Sequence, residues 1–250
     1  MEISNYIEYT LLEPTASERD IMNLCDEAKS NDFYSICINS CYVPLAKQLL
    51  VGSEVKICTV IGFPLGAMST QAKVFEAEKA IEDGADEIDM VINLGYLKSR
   101  NYVSVLKDIS DVKLAIRKIP LKVILEISEL NKNEIIKASE ICLDAKADFI
   151  KTSTGFSKSG ATLTAVKIIK KTVRNKAKIK ASGGIGDFDT AIKYIDAGAD
   201  RIGTSTAIKP KNNRRQIRNT KIYKDYIKTV LNSDTQQTTK NIKETYSKDI

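Results

Sequence analysis

Two lysines stand where a buried strand would carry apolar residues. Residues 148–154 read DFIKTST, with Lys151 at the centre, and residues 178–184 read KIKASGG, with Lys180 placed in the same way. An ammonium is no nucleophile, but burial and a second nearby cation both favour the neutral amine, by up to roughly three pKa units when acting fully. A neutral lysine attacks an aldehyde or ketone to give a Schiff base, whose iminium draws electrons from the adjacent carbon–carbon bond. One lysine would then be the nucleophile and the other the group that lowers its pKa. Asp89, in EIDMVIN (87–93), shares a strand face with Glu87, Val91 and Asn93, and could relay protons through a water during carbinolamine breakdown and bond cleavage. Strand lysines can also snorkel at sheet ends or pair with core carboxylates. The small polar residues after each lysine, TSTG and ASGG, favour chemistry, because they suit a pocket floor and not a packed core.

Composition narrows the chemistry further. The chain of 250 residues contains no histidine, which removes Ser-His-Asp triads, Cys-His dyads and most zinc sites. Acid–base work is left to Lys, Asp, Glu, Tyr and Cys, and lysine carbonyl chemistry requires neither metal nor organic cofactor. The five cysteines form no CxxC pair, and an odd count without a secretory signal indicates reduced thiols in the cytoplasm. No window approaches the ~20 apolar residues of a membrane span, and the start MEISNYIEYT does not read as a signal peptide. The net charge of +6 comes from lysines mixed with acids along the chain, with few aromatics, so neither nucleic acid nor a membrane is an expected partner.

Elements that would position these residues alternate along the chain. Strand-like runs cover 6–11, 34–39, 55–62, 87–93, 121–127, 148–154, 178–184 and 201–206. Between them lie amphipathic helical stretches: 17–30, opened by a capping-box-like Ser17 and Asp20; 70–84, closed by Gly84 as its C′ glycine; then 101–118, 131–146, 163–174 and 187–197, with a further helix over 213–231. DGADEID, DAKADFIK and DAGADRIG each join a helix end to the next strand. Their second aspartates, Asp86, Asp148 and Asp200, are 62 and 52 residues apart, a spacing of two βα units. Eight βα units with this echo close most simply into a (β/α)8 TIM barrel, a single α/β domain over residues 1–231. The rival is a doubly wound open sheet, but no GxGxxG follows the first strand. Residues 232–250 are polar and read as a mobile tail, with Tyr246 as an aromatic that a tail closing over the site would bring.

A phosphate site is a separate expectation. SGGIG (182–186) and GTST (203–206) supply glycines, backbone N–H groups and hydroxyls after strands seven and eight, where barrels commonly bind phosphate. Lys158, in GFSKSG (155–160), is a weaker candidate for a phosphate or substrate contact.

The motifs YTLLEP, SICIN, EIDMVIN, DFIKTSTGF, KIKASGGI and RIGTS, in this order and spacing over residues 6–206, resemble those of the deoxyribose-phosphate aldolases. The resemblance implies a metal-independent class I aldolase that cleaves 2-deoxy-D-ribose 5-phosphate to acetaldehyde and D-glyceraldehyde 3-phosphate, in the direction of deoxyribonucleoside breakdown, and commonly a homodimer. It implies that Lys151 is the Schiff-base lysine, Lys180 its pKa-lowering partner and Asp89 the proton relay. Thr10 and Cys37 would line the pocket, and Thr154, Gly155, Gly183, Gly184, Gly203 and Ser205 would lie near the sugar phosphate. The chain departs from the family pattern where Asp-His-Thr-Leu-Leu-Lys-Pro becomes Glu8-Tyr9-Thr10-Leu11-Leu12-Glu13-Pro14, and where GGIR becomes GGIG at Gly186. The second change predicts weaker phosphate affinity with the lysine chemistry intact.

Overall fold

The computed structural model describes residues 2–208. The helix expected over 213–231, the tail 232–250 and Tyr246 lie outside them. Eight parallel strands close in sequence order: β1 (Ile7–Leu11), β2 (Ser35–Ile38), β3 (Lys56–Ile61), β4 (Glu87–Val91), β5 (Leu121–Ile124), β6 (Phe149–Lys151), β7 (Lys178–Ser182) and β8 (Arg201–Thr204), which pairs back onto β1. This is the expected (β/α)8 barrel. Its helices are α1 (Glu18–Ser30), α2 (Val43–Leu49), α3 (Thr70–Glu82), α4 (Leu94–Lys98), α5 (Tyr102–Ile116), α6 (Lys132–Asp144), α7 (Leu163–Val173) and α8 (Phe188–Asp196). The short α2 and α4 carry too little apolar periodicity to be assigned from sequence. Ser17 and Asp20 form the expected capping box on α1, and Gly84 takes a left-handed φ of 114° just past α3.

The repeated aspartates turn out to be ties at the start of the strands. The carboxylates of Asp86, Asp148 and Asp200 accept from the backbone N–H of Ile57, Leu121 and Ile179 at 2.8, 2.8 and 2.9 Å. Each aspartate's own N–H donates back to the carbonyl of the same residue. Strands four, six and eight are thereby locked in register to strands three, five and seven, at the end of the barrel away from the site.

Side chains alternate across each strand, and the two faces have opposite character. Outward residues such as Ile36, Ile57, Ile88, Val123, Ile150, Ile179 and Ile202 are buried under the helices and form the apolar core. The barrel's inside, usually filled with branched apolar residues, instead holds buried Glu8, Glu87, Asp89, Lys122, Lys151 and Lys180. A second buried pair supports the wall. Lys73 on α3 binds Asp108 of α5 at 2.5 Å and the carbonyl of Val91 at 3.0 Å, which anchors the end of the strand that carries Asp89. Burial pulls the Lys73 amine below its ordinary range against the pull of Asp108.

Most expected strands run two or three residues past the observed ends. Residues 152–154, 183–184 and 205–206 leave the ladder at the C-terminal rim, where Gly183 and Gly184 adopt left-handed φ of 90° and 76°. Among the described residues no helix is long and apolar enough to cross a membrane.

Candidate active site

Parallel register sets the site. Lys151 on β6 stands beside Lys180 on β7, and Asp89 on β4 beside Lys122 on β5, all with side chains turned inward. Asp89 is the hub. Its Oδ2 accepts from Lys151 Nζ at 2.9 Å and from Lys180 Nζ at 2.8 Å, while its Oδ1 accepts from Lys122 Nζ at 2.9 Å. Lys180 also donates to Glu8 of β1, and Lys122 lies 2.5 Å from Glu87 and 3.5 Å from Glu8. Three carboxylates thus balance three ammoniums, with no net charge left in the dry interior.

This balance sets the protonation states. Burial would raise the Asp89 carboxyl, but the ammoniums of Lys122, Lys151 and Lys180 outweigh it and hold Asp89 well below its usual range. Glu8 is lowered in the same way, against its own burial, by Lys122 and Lys180. Burial would lower Lys122 and Lys180, but Asp89 and the surrounding acids raise both well above the ordinary lysine value. Lys180 is therefore a permanent cation beside Lys151, as a group suppressing charge on a neighbouring amine must be.

Only the tip of this cluster is open. Lys151 lies at the floor of a cavity of about 400 Å³, which Thr10, Thr154, Gly155, Gly183, Gly184, Gly203 and Ser205 also line. The expected pocket residues are thus brought together, with one exception. Cys37 is fully buried and does not line the cavity; its thiol lies 4.0 Å from Asp89 Oδ2. A hydrogen bond from Cys58 lowers its thiol to about 7 against burial, with Lys180 assisting. Burial and Cys37 raise the Cys58 thiol.

The two glycine turns are close-fitting. A Cβ on Gly160 would lie 2.2 Å from the carbonyl oxygen of Gly183, so the loop after β6 and the turn after β7 touch through bare backbone. The N–H of Ala161 donates to the carbonyls of Ser182 and Gly183 at 3.0 Å, fixing the contact. Gly186 faces the cavity with room to spare, because a Cβ there meets nothing nearer than Thr206 Oγ1 at 3.6 Å. Lys158 does not line this cavity. It is an exposed lysine paired to Glu129 at 2.7 Å, with Ser157 on the other carboxylate oxygen, so its charge holds the loop instead of facing the pocket.

Several site residues go beyond those expected from sequence. Lys122 carries the same signal as the other two lysines, a cation at an inward strand position, but lacks their trailing run of small polar residues. Lys178 also shares the inward face of β7, yet it is exposed at the far end over the Phe149 ring, the snorkelling outcome. Glu126, just past β5, is buried with a left-handed φ of 56°. Its Oε2 accepts from the Thr154 hydroxyl and, at 3.3 Å, from the Thr154 N–H. Phe63 and Phe156 meet edge-to-face at 5.3 Å beside the cavity.

A profile for the DeoC/LacD family aldolases matches residues 9–208. This chain belongs to that family. The deoxyribose-phosphate aldolase of Finegoldia magna is 54% identical over 209 residues, covering 84% of this chain and 98% of its own. That of Mycoplasma capricolum is 50% identical over 208 residues, covering 83% of this chain and 94% of its own. Among solved structures, QR15, an aldolase, superposes with a TM-score of 0.80 at 44% identity, covering 83% of this chain and 93% of that one. The deoxyribose phosphate aldolase of Aeropyrum pernix, described as a unique tetramer, gives 0.76 at 35% identity over 82% and 87%.

Proposed function

We propose that this DeoC/LacD family member cleaves 2-deoxy-D-ribose 5-phosphate to acetaldehyde and D-glyceraldehyde 3-phosphate through a Schiff base on Lys151. The observation that carries this reading is the Lys151–Asp89–Lys180 bridge at the floor of the cavity. Lys151 passes its proton to Asp89 and onward to water, then attacks the C1 aldehyde of the open-chain sugar. Loss of water from the carbinolamine leaves the iminium. Asp89, acting through a water, takes the C3 hydroxyl proton, and the C2–C3 electrons move to the iminium. Glyceraldehyde 3-phosphate leaves with C3 as its carbonyl, and an enamine remains. Protonation at C2 and hydrolysis release acetaldehyde and return Lys151. Asp89, already hydrogen-bonded to Lys151 and Lys180, supports the relay, and the permanent charge on Lys180 opposes a charge on Lys151. Thr154, Gly155, Gly183, Gly184, Gly203 and Ser205, which line the cavity, would receive the sugar phosphate, and Thr10 lines the same pocket.

The test is product analysis, with reduction of released acetaldehyde and oxidation of released glyceraldehyde 3-phosphate followed separately. Equimolar release supports the reading. Isomerised sugar without cleavage points to a sugar-phosphate isomerase, and transfer of a dihydroxyacetone unit to a transaldolase-like enzyme. Salt-dependent retention on nucleic acid without carbonyl chemistry points to a basic binding protein.

The same reading takes residues 1–231 as the barrel domain, 232–250 as its tail, and the cytoplasm as the site of action, where the five free cysteines stay reduced. It also takes the working form as a homodimer, for which light scattering is the measurement.

A further inference from the structure

We propose that Tyr34 and Glu87, at the end of the barrel away from the cavity, are positioning residues for the lyase: by fixing Lys122 they pin one oxygen of Asp89 and leave the other to Lys151 and Lys180. Their role rests on the proposed Schiff-base reading, and neither residue lines the cavity.

The two oxygens of Asp89 are held in different ways. Oδ2 is shared by the amines of Lys151 at 2.9 Å and Lys180 at 2.8 Å, while Oδ1 faces the Lys122 amine at 2.9 Å and the Cys58 thiol at 3.1 Å. Lys122 is anchored in turn from the far side. Its Nζ lies 2.5 Å from Glu87 Oε2, 3.3 Å from Cys58 Sγ and 3.5 Å from Glu8 Oε2. The other oxygen of Glu87, Oε1, accepts from the Tyr34 hydroxyl at 2.8 Å. Tyr34 stands immediately before β2 with its backbone tied on both sides: its N–H donates to the carbonyl of Ser4, and its carbonyl accepts from the N–H of Lys56. The Arg201 guanidinium lies 3.7 Å from the centre of the Tyr34 ring, and its Nη1 donates to the carbonyl of Asp200 at 2.9 Å. A continuous chain thus runs from Tyr34 through Glu87 and Lys122 to Asp89.

Stability alone gives little reason for this chain. Barrel interiors are usually filled with branched apolar residues, and well-packed apolar groups in place of a buried ion cluster are often no less stable. A layer of Glu87 and Lys122 beneath the reacting layer is a direct way to aim a carboxylate. Loss of the outer anchor has a defined consequence. Without the Tyr34 hydroxyl, Glu87 Oε1 is buried with no donor, and the carboxylate turns to Lys122 and draws it from Asp89. Asp89 then turns more fully to Lys151 and stabilises its ammonium, the form that cannot attack. Loss of the Glu87 charge does the reverse, because the ammoniums then outnumber the carboxylates and favour a neutral Lys151. Lys151 is faced by Asp89 from β4, Lys180 from β7 and Cys37 from β2, while Glu126, past β5, is turned to Thr154. Glu87 is faced by Lys122 from β5, Cys58 from β3, Glu8 from β1, and Tyr34 with Arg201 behind it.

The experiment uses the full chain and follows cleavage of 2-deoxy-D-ribose 5-phosphate across the pH range, together with the initial rate of borohydride trapping with acetaldehyde. Tyr34→Phe keeps the ring beside Arg201. It should lower kcat about tenfold at neutral pH, the kinetic equivalent of one hydrogen bond to a charged group, with KM unchanged, slower trapping, and a deficit that shrinks as pH rises. Glu87→Gln should move the acid limb of the profile to lower pH. Because Tyr34 acts through Glu87, adding Tyr34→Phe to Glu87→Gln should cost less than about twofold more. Circular dichroism checks the fold of each variant. A lowered urea midpoint in Tyr34→Phe, with kcat, trapping rate and pH profile unchanged, would show packing only and overturn the proposal, as would the same tenfold loss in both backgrounds. Should Glu87→Gln not fold, the kcat, trapping rate and pH profile of Tyr34→Phe decide alone. Wild type without turnover or trapped adduct would overturn the catalytic reading itself. Active wild type matched in every kinetic measure by Tyr34→Phe would overturn the positioning role alone.

Discussion

Lys151 Nζ rests 2.9 Å from Asp89 Oδ2, and the same oxygen holds Lys180 Nζ at 2.8 Å. The proposed nucleophile and the cation proposed to oppose its charge are therefore joined through one carboxylate. Of these three residues only Lys151 reaches the cavity. On the proposed reading substrate meets the amine, while Asp89 and Lys180 lie buried behind it.

Lys151→Leu should abolish turnover with the fold intact. Removing one partner of a buried pair costs about 3–5 kcal/mol when the other charge is left alone. Asp89 keeps Lys122 and Lys180, so the loss here should be smaller. Circular dichroism and a urea melt on the variant check this. A fully active Lys151→Leu would contradict the account.

Lys180→Met should slow turnover severely and also destabilise the barrel by about 3–5 kcal/mol, because Glu8 loses the amine it binds directly. The rate deficit should shrink as pH rises, since the variant has lost the cation that favours a neutral amine at position 151. A pH–rate profile against wild type tests this, and a deficit constant with pH would speak for a purely structural role.

The buried ions also set the pH range of stability. Asp89 and Glu8 are depressed in the folded state, so their contribution is present above their unfolded values, about 3.9 and 4.3, and is lost as pH falls through the lower folded ones. Lys122 and Lys180 are raised, so theirs is present below about 10.4 and is lost as pH rises through the higher folded values. Urea midpoints should be level from about pH 5 to 9 and fall below about pH 4. A decline beginning near neutrality would show that these groups are not paired as described.

Glu126 holds Thr154 by side chain and backbone. Glu126→Ala should raise KM for the phosphorylated sugar about tenfold, the kinetic equivalent of about 1.4 kcal/mol and in keeping with the loss of one hydrogen bond to a charged group, while Glu126→Gln, which keeps an acceptor, should recover most of it. Equal effects from both variants would show that charge and not position matters there.

Gly186→Arg should lower KM for deoxyribose 5-phosphate with little change in kcat, because the cavity has space beside Gly186 for a longer side chain. The unphosphorylated sugar serves as the control, and an equal gain for both sugars would argue against a phosphate contact. A wild-type KM already as low as that of GGIR-bearing relatives would remove the suggestion of weak phosphate affinity.

The barrel was legible because period-2 and helical patterns alternate so regularly, and because Asp86, Asp148 and Asp200 repeat a strand-start tie. Lys151 and Lys180 stood out because the residues after them are small and polar. Lys122 was harder to see, since Val123 and Ile124 follow it and make the run look like ordinary core. Pairing of Lys158 with Glu129 depends on how two loops approach, and sequence spacing does not contain that information. That Cys37 is buried without lining the cavity is likewise something a strand pattern alone leaves open.

Borohydride trapping with acetaldehyde, followed by peptide mass mapping, tests the central claim most directly. The account predicts a single reduced ethyl adduct, on Lys151. Adducts scattered over exposed lysines, with Lys151 unmodified, would contradict it and leave Lys151 as one member of a structural ion cluster.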